Sequence, residues 1–517
     1  MCACAQPDMP TRAPLDRRPG PGQLTGKLEL GVLVLASIVL FGVRLLAATR
    51  IGFGDSEALY ATYALHPQPA YLDHPGLVGA VARAIGSGTA PGPERTHVLT
   101  SVLSTLVPWT MALACRACGA AWRRSLAAAV VFALAPEVGI GLFALTPDLL
   151  LALLWTGALG LAADALASLP GSARAARGFA AAGLLAGAAA ASKVSGVMLV
   201  AGLAVAYASR PAKAHARTVA PWVGLGAGLL VTAPIVVFEA RSGWPMLQHR
   251  LVDSQATAGL SLRNVGALVG GQVAYLSPVT AWLAALAGRA MWRGRRDATG
   301  RLLCVCCVLP LSVLVPLCLW SRVAEPHWVA PALLALVPAA ARSASPPSRR
   351  LVVSASALGG ALIAAAYAWV LAPALLRFAP ASYDPRLDLA NELYGWPDVV
   401  RVVRDEARLV RATPGYEGAD LTVVGPHWVI CAQLDAALRA DLPVGCDTPI
   451  RDDFDDWWPR DLWRRASVLV WVTDTRFPAA PALPTHATWR SREVRIERGG
   501  RTVRVFAVSV LVRAIGA

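Results

Sequence analysis

Three carboxylates and two imidazoles crowd the stretch RIGFGDSEALYATYALHPQPAYLDHPGL, residues 50–77: Asp55, Glu57, Asp73, His66 and His74, interleaved with Tyr60, Tyr63 and Tyr71. This is the first polar loop of a largely apolar chain. Asp55 and Ser56 stand where a helix N-cap would, Glu57 to Leu65 reads as a short helix, and Pro67 and Pro69 end it. A solvated loop with a capping aspartate would require nothing more. Carboxylates gathered in this way can also take a proton from an attacking nucleophile, provided that cations stand opposite to stabilise a departing anion.

Further charges of that kind recur down the chain. Asp148 in LTPDLL, Lys193 in AAASKVSG, Glu239 and Arg241 in FEARSGWP, then His249, Arg250 and Asp253, and finally Arg322, Glu325 and His327 in WSRVAEPHW all stand at the ends of apolar runs. Each alone reads as a side chain snorkelling to an interface. Ionisable groups at membrane-helix ends are costly unless they reach water or serve a site, so their gathering at one face points to a site.

The elements that must position them are membrane helices. The chain has 517 residues, 56% hydrophobic and 16% charged, with a mean hydropathy of +0.50, outside the range of soluble globular chains. A span needs about 20 apolar residues. Candidates run near 29–48, 97–115, 125–145, 147–168, 178–191, 194–209, 218–238, 264–288, 302–320, 327–341 and 351–372. The expected fold is therefore a polytopic α-helical membrane protein of about eleven transmembrane helices with a small C-terminal extracytoplasmic α/β domain.

Charge gives the orientation. The net charge is +15, but the basic residues fall in short clusters between apolar runs, a pattern that orients helices in a bilayer and argues against nucleic-acid binding. With residues 1–27 as a disordered basic cytoplasmic tail, alternate connections are rich in Arg and Lys, among them those at Arg123 and Arg124, Arg210 and Lys213, and Arg342, Arg349 and Arg350. The acids sort to the other side. Residues 28–375 then form the membrane domain, with 50–96 as its first external loop. Residues 376–517, with alternating runs such as LTVVG and SVLVWVTD, form the external α/β domain. Cys431 and Cys446 are the two cysteines of that polar region and would pair if it is extracytoplasmic. Cys115 and Cys118 form a C-x-x-C without a second pair at zinc spacing, and no other side-chain set has metal-ligand spacing. The acidic, aromatic stretch RDDFDDWWPRDLW, 451–463, is either a loop dressing the active face or a solvated surface.

EALYATYALHPQPAYLDHPGLVG resembles the first external loop of glycosyltransferase family 39, within the GT-C superfamily, which carries D-E-x-x-Y followed by Y-F-D/E-H/K-P. TPDLLLALLW, SKVSGVMLVAG, APIVVFEARSGWPMLQHRL, SLRNVGALVGGQVAYLSP and EPHWVAPALLAL resemble further segments of that family, in the same order. The likeness covers roughly residues 30–375. It implies that a carboxylate of the first motif is the catalytic base. Aligning Glu57 and Tyr60 with E-x-x-Y puts Ser56 at the usual Asp, so either Asp55, through a one-residue bulge, or Glu57 takes that role. Asp73 becomes the second acid and His74 the phosphate-side cation. Tyr60, Asp148, Lys193, Glu239, Arg241, His249, Arg250 and His327 are the further substrate or phosphate contacts.

The implied function is an inverting glycosyltransferase of the bacterial inner membrane. It would move a sugar from a polyprenyl-phosphate donor to a lipid, glycan or protein acceptor at the extracytoplasmic face. No cofactor is required, and a divalent metal enters only if the donor is a diphosphate. A transporter or flippase of an anionic lipid or solute is the different-class alternative, and an inactive sensor or scaffold a third. Transporters place their polar groups near the bilayer midplane in repeated halves, whereas here the charges lie at helix ends and no matching halves appear.

Overall fold

The computed structural model of the protein describes residues 26–255, 258–321, 325–439, 441–481 and 483–513. The expected tail lies outside these except for its last two residues, and Lys27 already opens the first helix. Arg322 also lies outside them.

Four helices open the chain: α1 (Lys27–Ala48), α2 (Asp55–Thr62), α3 (Leu77–Ile85) and α4 (Pro93–Ala117). Among the described residues seven helices are long and apolar enough to cross a membrane: α1, α4, and those at Pro147–Ala167, Ala173–Ser192, Ala220–Ser242, Ala298–Trp320 and Arg349–Leu371. Three bent pairs, Trp122–Ala133 with Pro136–Phe143, Val194–Ala208 with Arg210–Ala216, and Leu262–Leu276 with Pro278–Gly294, raise the number to ten. The expectation of about eleven therefore needs correction at 327–341. That stretch falls in three short pieces, Pro326–Val329, Ala330–Leu333 and Leu336–Ala341, because Pro331 and Pro338 remove backbone donors that a continuous helix needs. The span expected at 264–288 bends by 102° at Ser277–Pro278 for the same reason.

Small residues let the helices close up. Gly183 and Gly187 of one helix face Gly224 and Gly228 of another so closely that a Cβ on Gly183 would meet the Gly224 carbonyl oxygen, the packing of small-xxx-small pairs in membranes. Ion pairs mark one end of the bundle: Arg123 with Glu29 at 2.8 Å and Arg342 with Asp297 at 2.9 Å. The acidic loop lies at the other end.

The C-terminal unit is a five-stranded sheet in the order β2-β1-β3-β5-β4, built from β1 (Leu421–Gly425), β2 (Val444–Cys446), β3 (Val468–Asp474), β4 (His486–Arg498) and β5 (Arg501–Arg513). β1 runs parallel to β2 and β3 and is buried throughout, in keeping with a sequence whose one polar side chain is Thr422. β5 pairs antiparallel with β3 and β4. Cys431 and Cys446 form a disulfide, Cα to Cα 5.9 Å. The hydrophobic core of this unit continues into the first loop: Phe53, Tyr60, Tyr63 and Val78 share one cluster with Trp396, Ile430 and Phe506.

Candidate functional site

Helix α2 begins at Asp55 itself, with Gly54 as its N-cap and no side-chain capping bond, and ends at Thr62, before the prolines. Asp55 is thus the first residue of the helix and no cap. A helix turns about 100° per residue, so Asp55 and Glu57 point in opposing directions. Asp55 accepts a hydrogen bond from the Arg476 Nη1 at 2.7 Å. Glu57 is 3% exposed and turns into the bundle. Its Oε2 lies 2.9 Å from His97 Nε2, and its Oε1 accepts the Leu145 N–H at 2.7 Å. Ser56 is exposed between them.

The remaining charges of the loop join groups from later helix ends. Arg250 donates from Nε and Nη2 to the Asp73 carbonyl at 3.1 and 2.9 Å, and its Nη2 stands 3.1 Å from the Asp73 carboxylate. His249 lies 3.9 Å from the same carboxylate. His74 Nε2 is 3.4 Å from Arg250 Nη2, and its ring meets the buried Tyr60 edge-on at 5.5 Å. Asp148 accepts two bonds from Lys193 Nζ, 2.7 and 2.8 Å, with His327 3.8 Å away. Asp148 opens the Pro147–Ala167 helix, whose N-terminal dipole favours a carboxylate. The two subclusters adjoin electrostatically: Arg250 and Lys193 both act on His74, while burial pushes the His327 imidazole down to about 4, so that it is uncharged at neutral pH. Burial first, and those cations second, hold the His74 imidazole well below its ordinary value. It is neutral at physiological pH, so the expected phosphate-side charge comes from Arg250 and Lys193.

Glu239 and Arg241 do not enter this cluster. Glu239 is buried and its Oε2 accepts the Met246 N–H at 3.2 Å, closing the turn after its helix, while Arg241 is exposed. An apolar cavity of about 790 Å³ ends at Asp148 and Glu137 on the site side and reaches Glu29, Arg123, Arg124 and Arg349 at the other. Among the described residues no group of His, Cys, Asp and Glu is arranged to hold a metal ion.

Arg476, Glu392 and Gln433 join the site region without a signal in the sequence, while the stretch 451–463 takes the first of its two expected roles. Arg476 also lies 3.3 Å from Glu392 and from Asp474, and Arg504 holds Asp474. Burial, then the charge of Asp55, pushes the Glu392 carboxyl up to about 7. Within 451–463, Asp453 accepts the Leu72 N–H at 2.9 Å and the Tyr63 hydroxyl at 3.2 Å, and Trp457 stacks on His66 with ring centres 4.1 Å apart. Gln433 donates to the Phe53 carbonyl at 2.8 Å. The acidic stretch therefore clamps the first loop. Only its mixture of Asp and Trp hinted at this in the sequence.

The backbone as a whole superposes on ArnT from Cupriavidus metallidurans, solved bound to undecaprenyl phosphate, with a TM-score of 0.59 and 17% identity. The superposition covers 93% of this chain and 97% of that one. The apo structure of the same protein gives 0.59 and 15%, over 94% and 98%. The chain has the GT-C fold. It is a multi-pass membrane protein with the expected C-terminal sheet. Neither a protein-family model nor a curated protein sequence matches the chain, so the family number 39 rests on the motif likeness alone.

Proposed function

We propose that the protein is a membrane glycosyltransferase that moves a sugar, with inversion, from a polyprenyl-phosphate donor to a lipid, glycan or protein acceptor. The observation that carries this reading is the position of Asp148, which joins a long apolar cavity to a cluster of cations at the helix ends. A lipid tail needs the first and a departing phosphate the second. The GT-C fold supports it, as does the undecaprenyl phosphate bound to ArnT.

In the proposed reaction the acceptor oxygen forms a bond to the anomeric carbon while the carbon–oxygen bond to phosphate breaks. The phosphate leaves with that electron pair, toward Arg250 and Lys193. The acceptor proton passes to Asp73, whose side chain is 35% exposed and faces the cluster. Asp148 holds Lys193 in place. Asp73 is paired too, with Arg250, but Asp55 and Glu57, the other two candidate bases, are far less accessible to an acceptor: their side chains are 10% and 3% exposed in the pairs with Arg476 and His97. The arginine-rich helix ends opposite the site support a cytoplasmic N-terminus and an extracytoplasmic site in a bacterial inner membrane.

The test is transfer of labelled sugar from a polyprenyl-phosphate donor in proteoliposomes. Asp73→Asn should lower turnover by about 10²–10⁴ without changing the melting temperature by more than a few degrees. Full turnover in that variant would remove Asp73 from the mechanism. Solute or lipid flux without sugar transfer in the native protein would replace the enzyme with a transporter.

A further inference from the structure

Between the last long helix, Arg349–Leu371, and the Trp396–Ala412 helix the chain makes three short 3-10 turns, Pro373–Phe378, Pro385–Leu387 and Leu389–Leu393. Phe378, Leu387 and Leu389 are 68%, 80% and 74% exposed. Among the other described residues of 376–513 the most exposed large hydrophobic is Ile450, at 54%. Water thus meets the domain's three barest apolar side chains within one twelve-residue stretch. Soluble surfaces seldom concentrate them so.

The stretch is held firmly at the helix terminus. Asp388 accepts from Trp369 Nε1 at 3.0 Å and from the Tyr383 hydroxyl at 2.7 Å, and the Tyr394 hydroxyl donates to the Val370 carbonyl at 2.6 Å. Arg377 lies over the Phe378 ring, 4.6 Å from its centre. The exposed apolar groups therefore begin where a membrane span ends, beside an arginine and a tryptophan, the composition of a bilayer interface.

We propose that residues 373–393 form an interfacial wedge: Phe378, Leu387 and Leu389 enter the boundary between headgroups and acyl chains of the leaflet from which the Arg349–Leu371 helix emerges, and Arg377 meets lipid phosphates. The occupant of the patch is the bilayer itself. Continuity with the span supports this choice over a second copy or another protein. The same stretch supplies Glu392 to Arg476 and the Leu393 carbonyl to the Gly52 N–H at 2.9 Å. The wedge thereby sets the height of the first loop above the lipid. It depends on the chain spanning a membrane and not on the reaction proposed above.

The test places an environment-sensitive fluorescent amino acid at Leu387 or Leu389 of the full chain in nanodiscs of phosphatidylcholine and phosphatidylglycerol. The reference position is Glu417, exposed at the sheet end opposite the Gly499–Gly500 turn, which packs on Pro373. Phospholipids brominated on their acyl chains should quench the probe at 387 and 389 several-fold more than at 417, and aqueous iodide should show the reverse order. Equal iodide quenching at all three positions overturns the wedge. Protection from both quenchers at 387 and 389 overturns it too, since a protein surface would then cover the patch.

Discussion

Asp55 and Arg476 meet at 2.7 Å although 421 positions separate them in the chain. Their side chains are only 10% and 16% exposed. The pair is one of several bonds between the first loop and the C-terminal domain, and Glu392 and Asp474 lie around it. Removing one member of a buried pair strands the other, at a cost of about 3 kcal/mol. Arg476→Ala and Asp55→Asn are each expected to destabilise by about that amount in thermal melts, and the double substitution by less than the sum. Additive losses would show that the two residues act independently.

The same joint has a pH signature. Glu392 is pushed from its ordinary 4.5 up to about 7 by burial and by Asp55, so it favours folding when protonated and loses that contribution as pH rises from about 4.5 through 7. His427, near Asp55, Arg476 and Asp474, is pushed down to about 4 by partial burial. Its contribution is lost in the other direction, as pH falls from 6.5 through 4. The two slopes oppose each other in the native protein. In Glu392→Gln the melting temperature should rise more steeply between pH 4.5 and 6.5 than in the native chain, measured by scanning fluorimetry in detergent. A parallel pH profile would detach Glu392 from the joint.

Glu57 is expected to be structural. Its carboxylate ties α2 to His97 of α4 and to the Leu145 N–H, three residues before Asp148. Glu57→Ala should cost about 3 kcal/mol through the unsatisfied buried partners. Glu57→Gln, which still accepts from Leu145, should keep more than about a tenth of the turnover, whereas loss of a general base typically removes about 10²-fold or more. A fall of that larger size in the Gln variant, with an unchanged melting temperature, would restore Glu57 as the base.

Arg250 grips Asp73 through a carbonyl and a carboxylate at once. Lysine has one compact charge and no fork. Arg250→Lys should therefore raise the KM for the lipid-phosphate donor by about 10-fold, a loss of about 1.4 kcal/mol, with a smaller change in kcat. An unaltered KM in donor titrations would place the phosphate elsewhere.

Hydropathy and charge clustering made most spans legible, since each long helix is an apolar run bounded by charges. They failed at 327–341, where two prolines sit inside an apolar run and composition alone reads as a span. Asp73, Asp148, Lys193, Arg250 and His327 were legible because charges at helix ends are rare enough to stand out. Arg476 was not, because the C-terminal domain is full of arginines and only the tertiary fold selects one of them. In the sequence Asp55 and Glu57 stand as alternatives for one role. The helix begins two residues earlier than their capping pattern suggested, and its rotation sends the two carboxylates to different partners.

The joining of residue 55 to residue 476 has a consequence for biogenesis. The ribosome makes the acidic loop among the first segments and its arginine partner among the last, so the spanning helices described above are threaded into the lipid before that loop is closed. A message cut short after residue 371 would yield an inserted bundle whose earliest loop still lacks its lid, and quality-control proteases should find that product cleavable near residue 55.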